Sequence, residues 1–246
     1  MYEKPFYRIY RPNKLKDYDY ILEDEYCTER VDLIKYYNFL QKQVVEIFDY
    51  IYPCQKNMNT FSSKNYQILG NICMEVENNF KGIICANSYN KTVQTLNMND
   101  YNKLNKYLKL SDYELSLRFS KDIIRFRPFK NFLDENKKIE WYQSYNSSKH
   151  NRTKDIDKAT LENVLNALGG LNILLRAQFY CYYDIINNNN TLLSYLQLQN
   201  GVFNSQNSLS IFEIINEPNW KDYEKYNFEW KELKECNERF CKFDIV

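Results

Sequence analysis

The sequence predicts a mainly helical protein: an all-α core of four main helices with a small β element between the second and third. Three observations carry that reading. Only 5 Gly and 5 Pro occur in 246 residues, too few breakers for a many-turned β sandwich or a Gly-rich-loop nucleotide fold. Three long stretches repeat apolar residues at three- and four-residue steps, the signature of helices with one buried stripe. One short run alternates apolar and polar residues, the signature of a half-buried strand.

Residues 1–25 carry Pro5, Pro12, many tyrosines and mixed charge, and read as an N-terminal arm with little regular structure. A first helix is expected over 28–52, its stripe formed by Val31, Ile34, Tyr37, Leu40, Val44, Ile47, Phe48 and Ile51, with Pro53 ending it. After a polar loop over 57–63, a second helix is expected over 64–86. Tyr66, Leu69, Cys73, Val76, Phe80, Ile83 and Ile84 form its inner face, and Glu75 and Glu77 its polar face.

A polar connector over 87–99 and a short helix over 100–108 follow. Leu115, Leu117 and Phe119 alternate with Glu114, Ser116 and Arg118, which predicts a strand pairing with 123–126 before Pro128 breaks it. The third helix is expected over 140–149 and the fourth over 157–186, with Leu161, Val164, Leu165, Leu168, Leu171, Leu175 and Phe179 in phase. Gly169 and Gly170 sit inside that fourth helix and cost roughly 1 kcal/mol each against Ala, so close approach of a neighbouring helix is expected there. Beyond the turn at 187–190 the pattern weakens: one or two strands over 202–215, then an aromatic, charged helix over 220–240. The chain therefore divides into an arm (1–25), a helical body (26–190) and a C-terminal extension packed on it (191–246).

Composition removes several function classes. Lys and Arg total 33 against 32 Asp and Glu, a net charge of +1, which excludes a strongly basic nucleic-acid scaffold but not a local basic patch. The single histidine excludes a multi-His metal site. The seven cysteines lie at 27, 54, 73, 85, 181, 236 and 241 without a CxxC pair, as expected of free thiols in a reducing cytosol; Cys73, Cys85 and Cys181 fall in apolar helical phase. Neither a metal nor a cofactor is implied. The N-terminus lacks an apolar signal-like segment, and the most apolar stretch, 164–186, contains Asn166, Asn172, Arg176, Gln178 and Asp184, too polar for a membrane span. A soluble, cytoplasmic protein is expected. No GxGxxG, P-loop, HExxH or GxSxG motif occurs.

The informative segment surrounds the single histidine: Trp141, Tyr142, Tyr145, Asn146, Lys149, His150 and Arg152, at the end of the third helix. At 100° per residue, Tyr142, Asn146, Lys149 and His150 share one side; Trp141, Tyr145, Ser148 and Arg152 form the adjacent face. An imidazole is the side chain suited to proton transfer near neutral pH, and it can act as base or acid on a ribose 2′-hydroxyl. Neighbouring Lys or Arg can stabilise charge on a phosphate in the transition state. A structural alternative also fits: His150 caps the helix, with Lys149 and Arg152 favoured there by the helix dipole.

The segment Tyr145-Asn146-x-x-Lys149-His150-x-Arg152 resembles the HEPN superfamily of helical proteins found in bacterial toxin–antitoxin, abortive-infection and CRISPR systems. Glu75-Val76-Glu77 with Lys81, Pro128-Phe129, Trp141-Tyr142 and the run Ala159-Thr160-Leu161-x-Asn163-x-Leu165-x-Ala167-Leu168-x-x-Leu171 extend the resemblance over 66–179. It implies a HEPN-like four-helix bundle acting as an RNA-directed effector in defence or stress response, a metal-independent endoribonuclease or, alternatively, a non-catalytic RNA- or protein-binding module. His150, Asn146, Lys149 and Arg152 would be its catalytic residues, with Tyr145, Tyr142 and Lys154 binding substrate. The superfamily's nuclease motif begins with arginine, and Tyr145 stands in that position; a phenol supplies neither the permanent charge nor the forked donors of a guanidinium. Expected partners are RNA, a protein encoded nearby and a second copy of the chain, since a homodimer would bring two His150 sites to one groove.

Other candidates have plainer explanations. Glu75 and Glu77 diverge on one helix and form no close dyad; one of them is placed to hold His150 or Arg152, or both lie on a solvated acidic face. Lys137 and Lys138 extend the basic patch around Lys149, Arg152 and Lys154. Arg118, Arg125 and Arg127 interleave with Phe119, Phe126 and Phe129 as an RNA-stacking ribbon would, or as alternating packing requires.

Overall fold

The computed structural model describes residues 2–118, 120–134, 137–180 and 210–245. Its long helices are α1 (Arg30–Phe48), α2 (Ser63–Ala86), α5 (Glu140–His150) and α7 (Leu161–Phe179). Shorter ones are α3 (Met98–Asn102), α4 (Asn105–Leu108), α6 (Arg152–Asp155) and α8 (Trp230–Leu233). The strands β1 (Glu114–Leu117), β2 (Arg125–Phe126) and β3 (Phe212–Asn216) form an antiparallel sheet in the order β2-β1-β3. The fold is thus mainly helical with a small sheet, and the hairpin lies between the second and third long helices.

The stripes read from sequence become the core. Leu69, Cys73, Val76, Phe80, Ile83 and Ile84 of α2 are buried, as are Leu161, Val164, Leu165, Leu168 and Leu171 of α7. These two helices pack on each other most extensively, and both α1 and α5 pack against the pair. Ser62 and Thr160 cap α2 and α7 by accepting from the backbone N–H groups of Asn65 and Asn163, satisfying donors that the first helical turn leaves unpaired.

Several expectations are corrected. Gly169 and Gly170 do not serve helix–helix approach alone. A Cβ on Gly169 would come to 2.9 Å from Leu115 Cδ1 and 3.6 Å from Phe212, both on the sheet, and one on Gly170 to 3.3 Å from Phe129 and from Trp141. The glycines admit the sheet and the Pro128-Phe129 turn as well as α5. The fourth helix ends at Phe179 rather than continuing to Ile186, because Tyr180 takes φ 59° and stacks its ring on Tyr10 and Tyr18, 4.2 and 5.5 Å away; residues 181–186 lie outside the described residues.

The expected helix over 220–240 is absent but for a 3-10 turn at Asp222–Glu224 and the single turn of α8. Tyr226, Phe228 and Trp230 are buried while Asn227 and Glu229 are exposed, a period of two that marks extended chain. Of the strands expected over 202–215, β3 is present and 202–209 lie outside the described residues. Cys85 is exposed, whereas Cys73 is buried; Cys181 is not among the described residues.

The arm is irregular, yet it is built into the core. Ile9, Tyr10, Tyr20 and Ile21 are buried in the same hydrophobic cluster as the helices and the C-terminal segment. Tyr10 N–H donates to Ala177 O at 2.9 Å. Tyr226 accepts at its hydroxyl from Phe6 N–H (3.0 Å) and donates to Ile9 O (2.9 Å), so the two ends of the chain close on each other.

Arg8 continues that closure into the helices. It adopts φ 57° and donates through Nε to Gln178 Oε1 at 2.9 Å. Gln178 donates to Asn79 Oδ1 (3.1 Å), and Asn79 donates to Glu75 Oε1 (3.0 Å). Glu75, expected on a polar face, is therefore buried. Its carboxyl is raised above its ordinary value, first by burial, against the lowering effects of Asn78, Asn79 and Arg8.

Candidate functional site at the end of the third long helix

Helix α5 buries Trp141, Tyr145 and Ser148, residues at i, i+4 and i+7, and so turns one face to the core. Trp141 donates Nε1–H to Pro128 O at 3.0 Å. The Tyr145 ring lies over Gly70 of α2, where a Cβ would stand 3.9 Å from it. Tyr142 donates to Glu77 Oε1 at 2.8 Å, and Glu77 also pairs with Lys81 at 3.6 Å. Glu77 thus engages α5, as one of the two glutamates was expected to, but it holds a tyrosine rather than His150 or Arg152. Burial, and then the Glu77 contact, push the Tyr142 phenol well above its usual range.

On the outward side, Lys149 and His150 are exposed and Asn146 is half-buried. The Lys149 ammonium lies 5.3 Å from the centroid of the Tyr145 ring, a cation–π distance. Tyr145 raises Lys149, which therefore stays charged, while burial raises Tyr145 and Lys149 opposes it. Position 145 carries no charge of its own, but it seats one.

Arg152 does not share the Tyr145 face. The helix stops at His150, Asn151 leaves helical geometry with φ −144° and ψ 72°, and Arg152 begins the separate turn α6. The Asn151 carbonyl accepts from Lys154 N–H (3.1 Å) and Asp155 N–H (2.9 Å), which turns Arg152 and Lys154 outward into solvent. Among the described residues no carboxylate pairs with Lys149, Arg152 or Lys154, whereas Lys158 is paired with Asp155 at 2.9 Å.

This loop is fixed by a residue that periodicity did not single out. Asn163, in the first turn of α7, donates Nδ2–H to Ser144 Oγ (3.0 Å) and to Lys158 O (2.8 Å), tying α5, the loop and α7 together. The only sequence signal for it is its place in the resemblance motif, because an amide reads as an ordinary surface residue on helical period.

The Arg/Phe ribbon is packing. Phe126 and Phe129 are buried, Arg118 donates to Phe212 O, Arg127 to Ser111 O, and Arg125 pairs with Glu114; Phe119 lies outside the described residues. Lys137 and Lys138 line a shallow cleft of about 720 Å³ with Lys130, Asp134 and Glu140, at the opposite end of α5 from His150.

Among the described residues no group of three His, Cys, Asp or Glu converges as a metal site, and no helix is long and apolar enough to cross a membrane. No family model, curated protein or solved structure matches the chain.

Proposed function

We propose that this chain is a HEPN-like, RNA-directed effector of bacterial defence or stress response, acting as a metal-independent endoribonuclease. The observation that supports it best is the surface at the end of α5: an exposed imidazole, His150, close in sequence to Lys149, Arg152 and Lys154, three cations that form no ion pair with a carboxylate among the described residues. In the proposed reaction His150 takes the proton from a ribose 2′-hydroxyl as that oxygen attacks phosphorus. The 5′-oxygen leaves and takes up a proton, giving a 2′,3′-cyclic phosphate and a 5′-hydroxyl. Lys149, seated on Tyr145, supplies the fixed charge for the phosphorane oxygens, and Asn146 offers an amide donor one turn before His150. Arg152 and Lys154 bind flanking phosphates.

One protomer carries a single imidazole, so return of the proton to the leaving oxygen calls for a second group. A homodimer joining two His150 surfaces supplies it by symmetry, and it belongs to the same proposal.

A second reading has its own support. Tyr145, in the position of the motif arginine, is 5% exposed and committed to the core, as a module that binds RNA or a protein without cleaving would tolerate. Expression of wild type, His150→Ala and Tyr145→Arg in cells, followed by growth and RNA integrity, separates the two. The nuclease reading expects RNA fragmentation that His150→Ala abolishes. Intact RNA in every case, with RNA still bound by the purified chain, favours the module.

A further inference from the structure

The two ends of the chain and the helical body also meet around Arg11. This side chain is 3% exposed and permanently charged. Three rings surround it: its guanidinium carbon lies 4.5 Å from the centroid of Tyr2, 5.4 Å from Phe6 and 5.3 Å from Trp220. Rings answer the charge, but the in-plane N–H groups of a guanidinium still call for acceptors. Nη1 has one, donating to Glu224 O at 3.0 Å. Nε is buried without a partner, and Nη2 makes no hydrogen bond among the described residues while keeping contact with solvent. Nε and Nη2 form one edge of the group, the fork that takes two oxygens of a carboxylate or a phosphate.

A second cation shares the site. Lys109 follows α4 with φ 50°, and its ammonium stands 4.7 Å from the centroid of the same Trp220 ring. It donates to Asn219 O (3.1 Å) and to Glu224 Oε2 (2.8 Å). That carboxylate oxygen is already committed, because it also accepts from Lys221 N–H at 2.8 Å. Lys14 and Lys225 reach Asp222 at 3.8 and 2.8 Å. Among the described residues, Asp222 and Glu224 are thus the carboxylates bonded to Lys14, Lys109 and Lys225, and neither forms an ion pair with Arg11. A buried N–H without an acceptor is costly. Folding leaves this edge unmet where the arm (Tyr2, Arg11), the helical body (Lys109) and the C-terminal extension (Trp220, Glu224) converge.

We infer that the free edge of Arg11 is a binding site for a small oxyanion, a phosphate or a carboxylate. The anion bridges Nε and Nη2 of Arg11 and takes the N–H that Lys109 has left over, so its binding ties the arm, the body and the extension together. This site goes beyond the reading of the α5 surface and does not depend on it.

The test uses the full isotope-labelled chain, titrated with inorganic phosphate and separately with acetate, at constant ionic strength set by chloride. NMR follows the arginine Nε–H and indole Nε1–H resonances. The site predicts that those of Arg11 and Trp220 move together and saturate, with a dissociation constant of about 1 mM for the tighter anion; which anion is tighter separates phosphate from carboxylate as the source. The Nε–H of Arg239, already bonded to Glu25, should stay in place. Arg11→Lys keeps the charge and removes the fork, and should weaken binding about tenfold. Lys109→Met keeps the stem on the indole and removes the charge, and should weaken binding by a similar factor. Should Arg11→Lys not fold, the wild-type titration and Lys109→Met carry the test. The double variant Lys149→Ala/His150→Ala should bind phosphate as wild type does, which keeps this site apart from the α5 surface. Resonances that drift without saturating, the mark of an adventitious ion only, overturn the site. So does unchanged binding in Lys109→Met, or loss of binding in the double variant.

Discussion

Two rows of polar side chains, one buried and one exposed, show how the same residue types do different work in this molecule. The buried row runs Arg8, Gln178, Asn79, Glu75, each joined to the next by a hydrogen bond of 2.9 to 3.1 Å. The exposed row runs Lys149, His150, Arg152, Lys154, beside the half-buried Asn146, and among the described residues none of its three cations forms an ion pair with a carboxylate. Burial makes an unpaired polar group costly, so the first row links each side chain to the next and fixes how the arm docks on α2 and α7, with Arg8 also reaching Glu29 at 4.0 Å and leaving one guanidinium nitrogen buried without a partner. Water already satisfies the second row, so folding makes no demand on it. Its clustering is what a ligand would use.

The largest effect that can break this contrast is Arg8→Ala. It leaves Gln178 Oε1 and the Glu75 carboxylate without their cationic neighbour and empties the seat against Gly82, and should cost about 3 kcal/mol in urea unfolding followed by circular dichroism. Gly82→Ala comes next. The new Cβ would overlap the Arg8 guanidinium, an overpacking cost of about 1–3 kcal/mol offset by roughly 1 kcal/mol of helix propensity; a net gain in stability would show that Arg8 moves aside freely.

Glu75→Gln sharpens the comparison through pH. The folded carboxyl is raised, so its neutral form is favoured in the fold. Stability from this group is complete below the ordinary glutamate value and is lost as pH rises through the raised one. The amide never ionises, so the variant should be more stable than wild type at pH 7 and equal to it near pH 4. The reverse ordering would mean that Arg8 outweighs burial. The smallest effect belongs to the exposed row: Lys149→Ala, Arg152→Ala and Lys154→Ala should each change unfolding free energy by no more than about 0.5 kcal/mol.

What could be read from sequence follows the same division. Helical stripes such as Leu69, Cys73, Val76 and Phe80 announce themselves because burial imposes a period. The segment 226–230 has a clear period of two, but it is only five residues long and sits among charges, so the stretch 220–240 reads as an aromatic, charged helix. Glu75 reads as solvated in the sequence because its own partners, Asn78 and Asn79, are neighbours on the helix, while the groups that cover the row, Arg8 and Gln178, come from separations that no local pattern records. At the candidate site, the Asn146–Lys149–His150 spacing was legible while α5 lasted. The break at Asn151, which removes Arg152 from the Tyr145 face, depends on how the loop is held by Asn163 from α7.

The central claim is that the end of α5 is free of folding duties and serves RNA. The most direct measurement compares purified wild type with the double variant Lys149→Ala/His150→Ala, following breakdown of single-stranded RNA on gels and unfolding of the same preparations in urea. The expected result is an unfolding midpoint within experimental scatter of wild type, with RNA breakdown abolished. RNA breakdown at the wild-type rate in the double variant, or a loss of breakdown that merely tracks a loss of folded protein, would contradict it.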